Sequence, residues 1–290
     1  MDTAVGSPHS DRPVMPHIRI DRHGAVGVIT IDRPERFNSL DVATAKDLRR
    51  AGIELARAAE VRCVIITGTH GVFCSGADLK YVRQHGSDPD FEYLRPEGSP
   101  TGPGHGESFK EILEYIHSTI SEIRRAPKAF IAAVDGVAAA GGFGLAMCCD
   151  LVLASERSVF EWAYHKTGLT GAESSTFFLP RLIGFRRAME LVLLNPRLNA
   201  TEAQAMGLIT QVLPVGEFAE SVMDIAQRVA AGPMRAQGVA KALLNEASGM
   251  DRLDYHLDRE LDELARIADG AAFAEGLAAF FEKRAPRFDG

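Results

Sequence analysis

The chain has 290 residues, 46% of them hydrophobic, which suits one large domain, or a core with an appendage, and a sizeable buried core. Its formal net charge of -7 at pH 7 argues against a nucleic-acid binder, which usually carries a basic face. Cys63, Cys74, Cys148 and Cys149 form no C-x-x-C pair and complete no zinc pattern with histidine, so they read as reduced core thiols of a cytoplasmic protein.

Residues 1–16 contain Pro, Ser and His without an apolar stretch, which predicts a flexible arm and no signal peptide. His17 to Ile20 and Val26 to Ile31 read as a hairpin turning at His23-Gly24. Asp41 is placed to cap a helix running to about Ala59. Cys63 to Thr67 is a short β-branched apolar run, the pattern of a buried parallel strand. Residues 85–107 lack periodicity and predict a surface loop, followed by a helix from about Phe109 to Arg125. Phe130 to Val134 and Leu151 to Ala154 are further strands, with a small-residue helix opening at Gly141 and Gly142 between them. The most apolar window, Val134 to Ala154, is interrupted by Asp135 and Asp150 and is no membrane span.

From Thr201 the patterns become helical: Thr201 to Met206, Glu217 to Ala231, Met234 to Ala247, Leu253 to Ala268 and Ala271 to Lys283. The expected organisation is therefore an arm (1–16), an α/β core (17–200) and a helical C-terminal region (201–290). Strand–helix alternation in the core implies parallel pairing and right-handed crossovers.

Two segments carry chemistry. Gly71 to Lys80 (GVFCSGADLK) follows the first buried strand closely, and its glycine permits a tight turn that leaves backbone N–H groups unpaired. Ile131 to Asp150 (IAAVDGVAAAGGFGLAMCCD) runs from a strand into a small-residue turn that allows close backbone approach. Each alone is explained by ordinary strand-to-helix packing. Together they offer two N–H groups able to converge on one developing oxyanion. There is no G-x-G-x-x-G, no Walker lysine and no G-x-S-x-G elbow around Ser75.

With these segments the sequence resembles the enoyl-CoA hydratase/isomerase, or crotonase, family. Further matches are ITIDRPERFNSL (Ile29 to Leu40), LTGAESSTFFLPRLIG and the terminal AFFEKRAPRF, so the resemblance spans nearly all of the chain after residue 17. It implies a crotonase-like spiral of ββα turns with a C-terminal α-helical trimerisation region, assembled as a homotrimer or homohexamer. It implies that Ala77 and Gly141 supply the oxyanion N–H groups. Coenzyme A, present only as part of an acyl-CoA thioester substrate, is expected near Arg36, Asn38, Asp78 and Leu79, with Phe280 and Lys283 reaching toward it. No metal or redox cofactor is implied.

The sequence departs from the family's hydratases at both of their catalytic glutamates: the aligned positions are Gly144 and Tyr164. Glu173, in GLTGAESS, is the best replacement carboxylate, since one carboxylate suffices to move a proton between the ends of an enolate. Its plain alternative is a glutamate capping the following helix. Tyr164 is expected either to donate a hydrogen bond in place of a carboxylate or to fill the pocket. The sequence thus predicts an enoyl-CoA isomerase or a non-standard hydratase; the alternatives are a catalytically inactive acyl-CoA binding protein and, disfavoured by the charge, an RNA binder.

Overall fold

The computed structural model describes residues 15–86 and 104–288. The expected N-terminal arm (1–14 of it) and most of the 85–107 loop lie outside the described residues.

Two sheets are wound by one repeating path. Strands β1 (Ile18–His23), β2 (Val26–Ile31), β3 (Cys63–Gly68), β5 (Ala129–Val134), β7 (Leu151–Ser155) and β10 (Gln211–Leu213) form a six-stranded sheet in the order β1-β2-β3-β5-β7-β10. It is parallel except for the β1–β2 hairpin. Strands β4 (Val72–Cys74), β6 (Val137–Ala139), β8 (Val159–Glu161) and β9 (Leu198–Asn199) form a second, four-stranded sheet. After the hairpin, the pairs β3–β4, β5–β6 and β7–β8 each lay one strand in the large sheet and the next in the small one before the chain leaves for a helix. This is the expected ββα spiral.

Alternation along the strands divides the core. Val64 and Ile66 of β3 face a large cluster that includes α1 (Val42–Arg57), α3 (His105–Arg125) and α10 (Leu253–Ala268). Cys63 and Ile65 face the other side, where α8 (Phe218–Ala231) supplies Phe218, Val222 and Ala226. Ile112, Ile116, Ile120 and Ile123 of α3 recur at helical spacing and are fully buried. Each such side chain contributes about 1.5–3 kcal/mol by leaving water. Asp41 caps α1 as expected, accepting the Thr44 N–H at 2.8 Å.

The remaining helices are α2 (Leu79–Arg83), α4 (Gly141–Met147), α5 (Ser175–Ile183), α6 (Phe185–Leu194), α7 (Ala200–Met206), α9 (Met234–Ala247) and α11 (Ala271–Glu282). The C-terminal region differs from expectation in two ways. It is not all helical, because β10 returns to the large sheet beside β7. Three residues are too few to show alternation against a helical background. As their helical spacing implies, Leu253, Leu257 and Leu264 of α10 are buried, where α10 packs on α3. Asn199, not Thr201, starts α7, through a capping box with Glu202. Among the described residues no helix is long and apolar enough to cross a membrane.

Candidate active site

The first turn of the site is shaped by Leu40. Leu40 donates to the Gly76 carbonyl at 2.8 Å, and Asp78 donates to the Leu40 carbonyl at 2.8 Å. This parallel bridge centres on Ala77. With the flanking groups spent on Leu40, the N–H of Ala77 itself points the opposite way. Asp78 then caps α2, accepting from Lys80 and Tyr81.

The second turn follows β6. Ala140 adopts φ 47°, ψ -119°, a strained conformation for a residue with a side chain. Its own N–H is tied to the Glu161 carbonyl at 3.1 Å. The kink opens α4 with Gly141, whose N–H precedes any intrahelical partner. The two turns touch: a Cβ built on Gly76 would lie 2.9 Å from the Gly141 nitrogen. Among the described residues neither the Ala77 nor the Gly141 N–H has a protein acceptor. Both residues line one cavity of about 220 Å³.

Glu173 faces the same cavity, almost wholly buried. Burial pushes its carboxyl up to about 7, with the hydrogen bond from Tyr164 working against that rise and the charge of Glu260 adding to it. Tyr164 Oη donates to Glu173 Oε2. Burial, and then the neighbouring Glu173 charge, hold the Tyr164 phenol well above its ordinary range, so it remains a donor. Room for Glu173 comes from glycine. A Cβ on Gly141 would come within 2.6 Å of Glu173 Oε1, and one on Gly144 would collide with the Glu173 carbonyl oxygen and lie 2.8 Å from its Cβ.

A second cavity of about 460 Å³ adjoins the first, sharing Ser75, Ala77, Leu79 and Phe280. Arg36, Asp78 and Lys80 also line it. Burial alone would raise the Asp78 carboxyl, but hydrogen bonds from Arg36 and Tyr81 and the charges of Arg36 and Arg33 outweigh it and hold the group below the usual carboxylate range.

The fold thus gathers Ala77, Gly141, Tyr164 and Glu173 at one cavity and Arg36, Asp78, Leu79 and Phe280 at its neighbour. Asn38 and Lys283 are brought to neither. The Asn38 side chain is fully buried and used within its own loop, accepting from Arg33 N–H at 2.8 Å and donating to the carbonyls of Thr69 and Val72. These bonds brace the 33–39 loop that leads to Leu40. Lys283 is exposed and ends α11 in a left-handed conformation. Glu173 is no helix cap, since it precedes the Ser174 N-cap, whose side chain caps nothing. Among the described residues no group of His, Cys, Asp or Glu could hold a metal ion.

Sequence reasoning missed Glu260, which holds the start of α5, and Lys166, which lines the acyl-sized cavity. Glu260 offered only a His256–Glu260 pair at helical spacing, a signal shared by many solvent-facing helices.

The sequence model of a family described as enoyl-CoA hydratase/isomerase matches residues 21–97 and 104–290. The chain belongs to that family. Among its relatives, 1,2-epoxyphenylacetyl-CoA isomerase of Escherichia coli is 32% identical over 265 residues, 91% of this chain and 95% of the relative. 4-Chlorobenzoyl coenzyme A dehalogenase-2 of Arthrobacter is 30% identical over 269 residues, 92% and 91% of the two chains. The crystal structure of an enoyl-CoA hydratase from Mycobacterium avium subsp. paratuberculosis superposes with a TM-score of 0.82 at 31% identity, covering 96% of this chain and all of that one. Family membership and the shared fold make an acyl-CoA thioester the class of molecule on which this family member acts.

Proposed function

We propose that the protein is an enoyl-CoA isomerase with a single proton-transfer carboxylate. The observation that carries this is Glu173. Its carboxyl is buried at the wall shared with Gly141, its proton affinity is raised to about 7, and among the described residues no other carboxylate lines that cavity.

The thioester carbonyl would sit between the N–H groups of Ala77 and Gly141. Those donors are aimed where negative charge develops, and being backbone they need no reorganisation as it forms. Ionised Glu173 removes a proton from the α-carbon of a 3-enoyl thioester, giving a dienolate whose oxygen the two N–H groups hold. The resulting acid returns the proton to C4, leaving the 2-enoyl thioester and the starting carboxylate. One group near neutral in affinity serves both steps. Leu79 and Phe280 would guide the thioester arm from the larger cavity, where Arg36 and Lys80 supply positive charge for the CoA phosphates.

Hydration would need a second polar group to orient water. Tyr164 is the nearest candidate, and its hydroxyl is engaged with Glu173. Isomerisation is therefore favoured over hydration. The names of the E. coli and Arthrobacter relatives add a further possibility, an acyl group bearing an aromatic ring.

Incubation with paired 2-enoyl- and 3-enoyl-CoA, followed by ultraviolet absorbance and mass, tests the proposal. Conversion of the 3-enoyl to the 2-enoyl thioester without mass change is expected. Gain of one water on the 2-enoyl substrate would replace isomerisation by hydration, and binding without turnover of a broad acyl panel would favour an inactive binder.

A further inference from the structure

Glu173 and Ser174 both stand in the left-handed region, with φ 49° and 62°. Neither is glycine, and such residues persist only when their surroundings hold them. The helix that follows does not do so by itself. Its N-cap, Ser174, turns its hydroxyl back to the Glu173 carbonyl, and the N–H groups of the first turn of α5 need an outside acceptor.

That acceptor is Glu260, from α10. Its Oε2 accepts the Ser174 N–H at 2.8 Å and its Oε1 accepts the Thr176 N–H at 3.1 Å. The Thr176 hydroxyl also donates to Glu260. The carboxylate is buried, with His117 Nε2 of α3 at 3.9 Å and His256 Nε2 at 3.5 Å. Among the described residues the buried His117 Nε2 has no hydrogen-bond partner. A charged side chain from a distant helix thus does the work that a local capping residue usually does.

We propose that Glu260 is a positioning residue for Glu173: by clamping the Ser174 and Thr176 N–H groups it locks the left-handed pair and aims the Glu173 carboxyl at the cavity. Its basis includes the proton-transfer role proposed above for Glu173. The clamp also sets a charge behind the site. The titratable groups acting on Glu173 are Tyr164 from the 164–167 turn and Glu260 from α10, and the Glu173 charge in turn acts on the buried Cys74 thiol of β4. Lys166 lines the same cavity, and Arg259 and Glu263 line the cleft outside Glu260. Of these, Glu260 is the negative charge that raises the proton affinity of Glu173.

The test is isomerisation of a 3-enoyl-CoA by Glu260→Gln, Glu260→Ala and Glu260→Asp across pH, beside Glu173→Gln. Glu260→Gln keeps an acceptor and loses the charge. Its acidic limb of kcat/KM is expected at lower pH than that of the wild type, with a reduced kcat. Glu260→Ala removes the clamp and is expected to lose between about tenfold and a hundredfold in kcat with KM nearly unchanged. Glu260→Asp restores part of that loss. If Glu260→Ala does not fold, Glu260→Gln carries the test alone. Wild-type kcat and an unmoved acidic limb in Glu260→Gln, where Glu173→Gln is inactive, would leave Glu260 merely structural and overturn the proposal. Turnover by Glu173→Gln would instead overturn the proton-transfer role, and the proposal with it.

Discussion

The carboxyl of Glu173 packs against the bare α-carbon of Gly141, the residue whose N–H opens α4; a methyl group there would stand 2.6 Å from Glu173 Oε1. The proposed donor and the proposed base are thus held by one contact. Gly141→Ala is expected to push the carboxyl out of line and lower kcat about a hundredfold. The overpacking should cost about 1–3 kcal/mol of stability. Turnover of a 3-enoyl-CoA and thermal melting separate the two effects.

The family resemblance aligns Gly144 with a hydratase glutamate, and its α-carbon lies against the backbone of Glu173. Restoring a carboxylate at 144 is therefore not expected to restore hydration. Gly144→Glu should displace the 173 segment, lose isomerisation and add no water to a 2-enoyl-CoA by mass spectrometry. A stable Gly144→Glu protein that hydrates its substrate would show that the missing glutamate, rather than the packing of Glu173, sets the reaction.

In its proposed role as the base Glu173 reacts only when ionised, and its affinity stands at about 7. kcat/KM is expected to fall as pH drops through about 7, tenfold per unit well below it. Stability runs the other way. A carboxyl whose folded-state affinity exceeds its unfolded value of 4.5 stabilises the fold fully below that value and loses the contribution as pH rises to about 7. The loss is on the order of 3 kcal/mol. Glu173→Gln should therefore be inactive yet more stable than the wild type at pH 8, with little difference at pH 4. Denaturant titrations at both pH values check this.

Asp78 joins Arg33, Arg36 and the cap of α2 in one buried cluster. Asp78→Asn leaves two guanidinium groups without their shared charge. It should cost about 3–5 kcal/mol, as for other broken buried pairs. It should also weaken CoA-thioester binding, because the same turn carries Ala77. Calorimetric binding of a non-reactive acyl-CoA measures the second effect.

Phe185, Met189 and Leu193 lie at successive i, i+4 positions of α6, and all are exposed, Phe185 by 70% and Leu193 by 60%. An apolar stripe of this kind is the surface through which the homotrimer or homohexamer implied by the family resemblance would bury apolar area. Self-association through α6 is expected, and Leu193→Glu should shift the sedimentation profile toward a smaller species while the melting of the subunit changes little.

Much was legible in the chain order of residues. Apolar runs at Cys63 to Thr67 and Phe130 to Val134 marked the large sheet because burial on both faces leaves a continuous apolar signature. The strands of the small sheet were not legible, since β4, β6 and β8 have three residues each and show no period. Glu173 was legible as a carboxylate within a recognisable segment. The meaning of Gly144 was not: in sequence it is a lost carboxylate, and in space it is the room that Glu173 needs.

The sequence by itself determined the strand–helix alternation of a parallel α/β core and its two small-residue turns, which are written in local composition and spacing, while the spiral, the Ala77 and Gly141 donors and Glu173 came from the family resemblance. Only the tertiary structure decided how Glu173 is held and how strongly it keeps its proton. Both depend on Tyr164, Gly141, Gly144 and Glu260, which converge from three different elements. Proton affinity follows burial and neighbouring charge, and these are properties of the packed space around a group, not of its neighbours along the chain.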